Sequence, residues 1–401
     1  MLKDFRKILL NEVGAIGVVT KESTVALEVE ITEGVVVPTT GATSYIEALE
    51  DGLTFEKTRE ALERNTLGGT IEAVEARVGI PEVTGAINTE LRGSVTPGQA
   101  PQTADKMLRS LLGGKRIAAS DITTTGNTST VLEFGALPPF LKGDCVLVKE
   151  SGAYEIRPIS EVGATTITFP FALDNGAPSD GVEVEAVTTY YHDAVNSVTL
   201  SAEHNVGAEI VQTIGGLRVG AMSIENYTVG QVANMNFTLQ GLSLEKADGV
   251  PSFSTDFTAD GLPPVCLSAC LWIGGDKKAY TELGLAIENE VSTISSACSP
   301  DGKLGTRLVS QTVVLTCNPY SDDTTLTEWD AFNANTDTSA FFYSFNPSAV
   351  DGEFSEAVAV WIPQAKITEA PFADNEGIVS DALSMKSFRK AGNDTIFISY
   401  N

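Results

Sequence analysis

Histidine is almost missing from this chain, with two residues, His192 and His204, among 401. A Ser-His-Asp arrangement could draw on those two alone, and no Gly-x-Ser-x-Gly elbow accompanies them, so nucleophilic acyl chemistry is not expected. The five cysteines, Cys145, Cys266, Cys270, Cys298 and Cys317, are odd in number and scattered. They form no disulfide framework and are expected as reduced, buried thiols. Cys266 and Cys270, in VCLSACLWI, read as same-strand residues about 13 Å apart, too far to bridge. The distant histidines complete no zinc pattern. Neither a metal nor a cofactor is expected.

Cations are scarce as well: 26 Lys plus Arg stand against 53 Asp plus Glu, for a net charge of −27. A phosphate-gripping surface needs clustered cations, so nucleic acid is repelled rather than held. Such repulsion is useful where a polyanion must slide past a wall. No apolar run approaches the roughly 18 residues of a membrane span, so no membrane insertion is expected. In the opening MLKDFRKILLNEVGAIGVV, Asn11 and Glu12 interrupt the aliphatics, short of the about 7–15 apolar residues of a secretory segment. The stretch reads as a short amphipathic helix with Leu2, Phe5 and Leu9 on one face, in a soluble chain made in the cytoplasm. Gly113-Gly-Lys-Arg116 lacks the rest of a phosphate loop, and Asp174–Asp180 and Asp301-Gly302 read as turns rather than calcium loops.

With 42% hydrophobic and 20% charged residues the chain is globular, and its length calls for more than one core. Helical signals are few. TFEKTREALER, 54–64, places Phe55, Thr58 and Leu62 along one side with opposite-charge pairs between, and reads as a surface helix. TADKMLRSLL, 103–112, has Thr103 as N-cap, an apolar stripe of Met107, Leu108, Leu111 and Leu112, and a Gly-Gly stop. TLTEWDAFNAN, 325–335, is a third, with Leu326, Trp329 and Phe332 on one side.

Strands dominate elsewhere: 83–95, ending in Thr-Pro-Gly, 309–317, 357–362 and a terminal strand at 395–400. Residues 25–32, VALEVEIT, and 285–292, LAIENEVS, alternate aliphatics with an acidic face carrying Glu28, Glu30, Glu288 and Glu290; Asn289 is the polar exception on the apolar side. In ANMNFTLQG, Asn234, Asn236 and Gln240 share an uncharged wet face. In each half the acidic strand leads to a second strand, a proline turn and a helix, which suggests a duplication. Between the halves, 131–191 carries short strands separated by Lys-Gly-Asp, Ser-Gly and Asn-Gly turns, the pattern of a small β-barrel or sandwich. Same-strand glutamate pairs lie about 6–7 Å apart, near the glycosidase range, but no aromatic sugar platform accompanies them, and no catalytic residue is expected.

The order VALEVEIT, LERNTLGG, VTGAINTELRGSVTPG, ADKMLRSLLGG, a β-rich middle, GLRVGAMSIENYTVGQVANMNFTLQGL, LGLAIENEVSTISS and the closing VAVWIPQAKITEAP with GNDTIFISYN resembles the bacteriophage major tail tube proteins. The resemblance runs from about Val25 to the C-terminus. It implies a mainly β fold with a few short helices: tandem β-sandwich or barrel tube modules at 1–128 and 194–401, with a small inserted β domain at 129–193. It implies a virion structural protein, not an enzyme. Copies stack as rings, three with pseudo-sixfold symmetry or six, and meet tape-measure, terminator and baseplate or tip proteins, while double-stranded DNA passes through unbound. The faces of 25–32, 285–292 and 233–240 are then candidates for the lumen wall. The loops 33–44, with Val35, Val36 and Val37, and 296–307, with Pro300, Asp301, Lys303 and Arg307, are candidates for contacts between subunits or rings, the first occupying in the first copy the place of the second. The competing reading is a β-rich decoration, receptor-binding or adhesin protein.

Overall fold

The computed structural model describes residues 23–40, 43–50, 52–63, 76–150, 153–207, 210–253, 261–266, 269–299, 301–321, 326–347, 354–375 and 377–401. The N-terminal helix expected around Leu2, Phe5 and Leu9 lies outside them, as do Arg64, Pro300 and Thr325. The described residues are mainly strand, with two short helices. The chain opens with β1 (Thr24–Val29), β2 (Tyr45–Ile46), β3 (Leu53–Leu62), β4 (Arg77–Glu90), α1 (Asp105–Leu112) and β5 (Gly113–Ala118). Short strands follow: β6 (Asp121–Ile122), β7 (Val131–Glu133), β8 (Cys145–Glu150), β9 (Ala153–Pro158), β10 (Glu161–Val162), β11 (Thr166–Thr168) and β12 (Glu183–Val184). Next come β13 (Val187–His192), β14 (Leu200–Val206), β15 (Ile210–Thr228), β16 (Asn234–Gly241) and β17 (Ser243–Asp248). The last part holds β18 (Cys270–Ile273), β19 (Asp276–Lys278), β20 (Tyr280–Ser295), β21 (Lys303–Pro319), α2 (Leu326–Ala334), β22 (Thr338–Pro347), β23 (Phe354–Glu369), β24 (Phe372–Asn375), β25 (Ile378–Asp381), β26 (Leu383–Ser387) and β27 (Phe397–Tyr400).

Helix α1 forms where its apolar stripe predicts. Met107, Leu108, Leu111 and Leu112 are all fully buried, and the helix lies against β15, β13, β5 and β1. Its start differs from expectation. Ala104, not Thr103, is the N-cap, and no side chain caps it; the Asp105 N–H instead donates to the Pro101 carbonyl at 2.9 Å. Gly113 ends the helix at φ 88°, where an added Cβ would lie 1.9 Å from the Asp193 carbonyl oxygen, so only glycine fits the exit.

The helix expected at 54–64 is instead strand β3, paired antiparallel along β4. Phe55 is buried while Thr54, Glu56 and Thr58 are exposed, a period of two. The i, i+3 and i+4 contacts that suggested a helix are few, and a long partner strand offering a full ladder overrides a modest local preference. Among the cysteines all five are free, but Cys298 is exposed near the β20–β21 tip, contrary to the expected burial.

The ladders of the first part of the chain recur in the second. Leu27 of β1 faces Ala202 of β14 as Ile273 of β18 faces Ala340 of β22, and β2 flanks β1 as β19 flanks β18. Leu200 faces Leu217 and, past a bulge, Ala202 faces Ile214; likewise Thr338 faces Ala365 and, past a bulge, Ala340 faces Ile362. The β15–β16 ladder slips between Val219 and Ala221, and the β23–β26 ladder slips between Ile367 and Glu369. Strands β24 and β25 continue that ladder, with Phe372 facing Asp381 where Ile224 faces Met235. In the long hairpins, Phe55 faces Gly85 as Leu285 faces Leu315, and each ladder slips by one residue just before Ala61–Val78 or Val291–Leu308. Both hairpins lead to a helix. The match that first suggested a repeat therefore aligned the wrong strands. Residues 25–32 correspond to β18, and 285–292 correspond to β3, because alternation with two acids is too common a pattern to fix register.

Strands β6, β8, β9 and β12 form one small sheet and β7, β10 and β11 another, closed around a separate core that includes Phe134, Phe140, Val146, Ile167 and Val184. This unit is anchored by an aromatic cluster in which Phe171 stacks on Trp272 at 5.8 Å. Arg157, fully buried, sits 4.8 Å from the Trp272 ring. It pairs with Glu155 and Asp174 at 2.9 Å each and donates to the carbonyls of Ala172 and Ile156. The C-terminal strand β27, expected at 395–400, is held between β13 and β23 and buried at every position. Removing the guanidinium leaves two carboxylates without their shared cation, so Arg157→Ala is expected to lower unfolding stability by roughly 3–5 kcal/mol, read as a drop in urea midpoint.

Candidate tube-wall face and contact loops

Strands β3, β4, β16, β15, β20 and β21 pair in that order. One face of this wall is apolar and packs on the core with Val83, Phe237, Met222, Ile287 and Val313. Register fixes the other. One row reads Thr54, Ala86, Thr238, Ala221, Glu288, Thr312, and the next Asn88, Asn236, Ser223, Ala286, Val314. Glu56, Glu82, Glu225 and Glu290 stand on the same face by parity, and Gln240 opposes Thr84. Neither of those two rows carries Lys or Arg from β3 to β21, and the exposed Lys386 stands opposite Val314; toward the hairpin ends the face does carry cations, the buried Arg218 opposite Gln240 and the exposed Arg77 and Arg307 opposite Leu62 and Ser292.

Five of the seven residues expected at the lumen thus share one wall: Glu288, Glu290, Asn234, Asn236 and Gln240. Glu28 and Glu30 do not join them. The expectation of a wet acidic face on 25–32 is corrected by burial on both sides of β1, where Val25, Ala26 and Leu27 are all inaccessible. Glu28 pairs with Lys106 of α1 at 2.7 Å and accepts from Ser44 Oγ at 2.7 Å. Glu30, 8% exposed, accepts from the N–H groups of Gly216 at 2.7 Å and Gly34 at 2.8 Å and from Ser201 Oγ at 2.9 Å. Glu30 is thus an internal acceptor for backbone that would otherwise be buried unpaired, and Glu28 is a partner for the Lys106 and Ser44 side chains. Asn289, the polar exception, is explained too: its side-chain amide donates to the Leu111 carbonyl at the end of α1 at 2.7 Å, so that β20 latches the helix of the preceding repeat.

The two candidate loops meet. Glu33 accepts from the backbone N–H and hydroxyl of Thr306, and pairs with Arg307 at 2.8 Å. Burial opposes ionisation of Glu33, but the hydrogen bonds from Thr306 and Arg307 outweigh it and hold the carboxyl below its ordinary range. Val35 and Val36 are exposed, Val37 is half-buried, and Asp301 and Lys303 lie at the neighbouring hairpin turn. By the repeated ladders, the counterpart of the 296–307 turn is the β3–β4 connection, not loop 33–44, whose counterpart is the tight Gly274-Gly275 turn between β18 and β19. The described ends of β3 and β4 approach the β20–β21 turn across a groove of about 790 Å³, lined by Leu62, Val78 and Ile80 on one side and Ser295, Asp301 and Gly302 on the other.

No group of three or more His, Cys, Asp or Glu is placed to hold a metal among the described residues. Burial lowers the pKa of both His192 and His204, and the His204 ring contacts Gln212 and Phe55. No described helix is long and apolar enough to cross a membrane. Sequence reasoning missed the β3 strand, one of the six of the wall; the alternation of Thr54, Glu56 and Thr58 was the available signal.

Glu30→Ala is expected to cost roughly 2–4 kcal/mol by stranding buried donors, whereas Glu288→Ala or Glu290→Ala changes stability by no more than about 0.5 kcal/mol, as read by thermal unfolding. For Glu33, whose folded pKa is depressed, the contribution is fully present above the unfolded pKa and is lost as pH falls through the folded value. The stability gap between wild type and Glu33→Gln is therefore expected near neutral pH and vanishes in acid below the carboxylate range, measured by denaturant titration at a series of pH values.

No curated protein matches this chain. A family described as phage tail tube protein matches residues 20–384, which takes in the first set of ladders, the small unit and most of the second set. The chain belongs to the phage tail tube proteins, as a structural component of the virion tail.

Proposed function

We propose that three copies close into a ring of six modules, that rings stack into a hollow tube, and that the polar face of the β3–β21 wall lines the bore through which viral DNA passes. Each module contributes one long hairpin and the strands beside it, so a twofold-repeated chain gives approximate sixfold symmetry from a threefold ring. Loops 33–44 and 296–307, tied together through Glu33, contact the neighbouring ring. Terminator, tape-measure and baseplate or tip proteins meet the ends and interior of the tube.

The observation that carries this reading is the wall itself: six strands wide, apolar on one side, and on the other small, amide or acidic along two central rows, with Arg77, Arg218 and Arg307 set toward the hairpin ends. A solvated outer surface has no need to keep cations out of two successive rows across six strands. A bore does, because each Lys or Arg would hold a phosphate and make passage sticky and salt-dependent. Phage carrying Glu288→Lys with Glu290→Lys are expected to assemble tails but to eject DNA several-fold more slowly at low salt, with the defect relieved at high salt; ejection in vitro, followed by a DNA-binding dye, measures it. Wild-type ejection at every salt concentration contradicts the assignment of this face.

A further inference from the structure

One ladder in the chain has no partner copy. Strand β15 uses its second edge to pair with β20, which joins the first repeat to the second: Ala221 faces Glu288, Met222 faces Ile287 and Ile224 faces Leu285. The counterpart of β15 is β23 continued by β24. Past Ala365 the matching edge of that segment pairs with no strand among the described residues. The counterpart of β20 is β3, whose ladder to β4 leaves its other edge unpaired among the described residues. Two open edges of one chain therefore correspond to the two strands that are joined inside it.

The side chains tell the same story. Ile224 is 2% exposed beneath β20, whereas Phe372, at the equivalent position, is 79% exposed. Phe372 borders a groove of about 280 Å³ shared with Leu326, Trp329, Ala370 and Leu383. Helix α1 is sealed and latched by Asn289, while α2 leaves Leu326 and Trp329 exposed. The residue equivalent to Asn289 is Arg59, also exposed, and the last turn of α2 carries no basic residue. An arginine arriving there would meet the negative end of the helix.

We infer that the β23–β24 edge of one copy receives β3 of the next, antiparallel and in the register of the internal joint, so that Glu369 faces the partner's Thr58 and Phe372 faces the partner's Phe55. This rests on the ring reading above and adds the residues at the seam. Pro371 does not block it. The Ala382 N–H donates to the Pro371 carbonyl at 2.8 Å, and in an antiparallel strand a residue's N–H and C=O point the same way. The N–H that proline lacks is therefore on the side of the chain's own strand, while Ala370 and Phe372 present theirs to the open edge. The contact is head-to-tail, and it buries two strand edges that would otherwise invite indiscriminate pairing.

The test is disulfide trapping of assembled protein carrying Thr58→Cys with Glu369→Cys on a Cys298→Ser background, since Cys298 is exposed and both target positions are exposed too. Directly opposed strand residues come within disulfide reach, and a shift of four residues moves them about 13 Å apart. Oxidation is expected to give a covalent trimer on a non-reducing gel, with monomer alone from either single variant and from the offset pair Thr54→Cys with Glu369→Cys. A trimer from the offset pair and not from the matched pair overturns the register. No cross-link from either pair, in a sample whose rings are visible by electron microscopy, overturns the seam and leaves the tube reading standing. Absence of rings under all conditions, with wild type included, overturns both. As an independent check, Phe372→Asp is expected to fold as a monomer with unchanged circular dichroism and to lose ring formation; rings at wild-type yield contradict the seam.

Discussion

Every strand has two edges, and each edge is a row of N–H and C=O groups that must find partners. That requirement organises this chain. The long hairpins β3–β4 and β20–β21 cannot close on themselves, because a hairpin satisfies only its inner edges. β16 covers the outer edge of β4, and β26 covers part of the outer edge of β21. β15 and β23 then cover those in turn, and β20 covers β15. What is left over at either end of the series is the place where a neighbouring copy belongs.

The same wall separates two chemistries. Its inner side is an ordinary core, with α1 pressed against β15 and its leucines fully buried. Its outer side is thinly decorated with hydroxyls, amides and carboxylates. The charges that the fold needs for its own coherence are kept elsewhere: Glu28 with Lys106 fastens α1 to β1, Lys278 with Glu328 fastens α2 to β19 with the signs exchanged, and Arg157 clamps the small unit. Burial raises the pKa of Glu328, with Lys278 opposing the rise. The buried ion pairs thus hold elements together away from the two central rows of the wall, which are left anionic or neutral, while other pairs such as Arg307 with Glu33 and Lys366 with Asp337 are partly exposed.

Much of this was legible in the sequence. Helix α1 and its glycine stop, the mainly β character, the terminal strand and the amide face of β16 follow from alternation and caps. The duplication was legible only as element order. Its register was not, because counterparts such as Phe55 and Leu285, or Thr58 and Glu288, share a backbone position and little chemistry, while VALEVEIT and LAIENEVS share chemistry and no position. Glu28 and Glu30 misled for a related reason: an acidic alternate in a strand reads as solvated, and only the tertiary fold reveals that Gly216 and Lys106 lie against it. Phe372 could not be singled out at all, since one exposed aromatic acquires meaning only when its counterpart Ile224 is seen to be covered.

The account depends on the wall facing inward and continuing from copy to copy. A cryo-electron microscopy map of the assembled tail at side-chain resolution tests both at once. The account predicts three copies per ring, Glu288, Glu290 and Asn236 projecting into the bore, and β3 hydrogen-bonded to the β23–β24 edge of the adjacent copy. A bore lined by another face of the chain, with those glutamates on the outside of the tube, would contradict it.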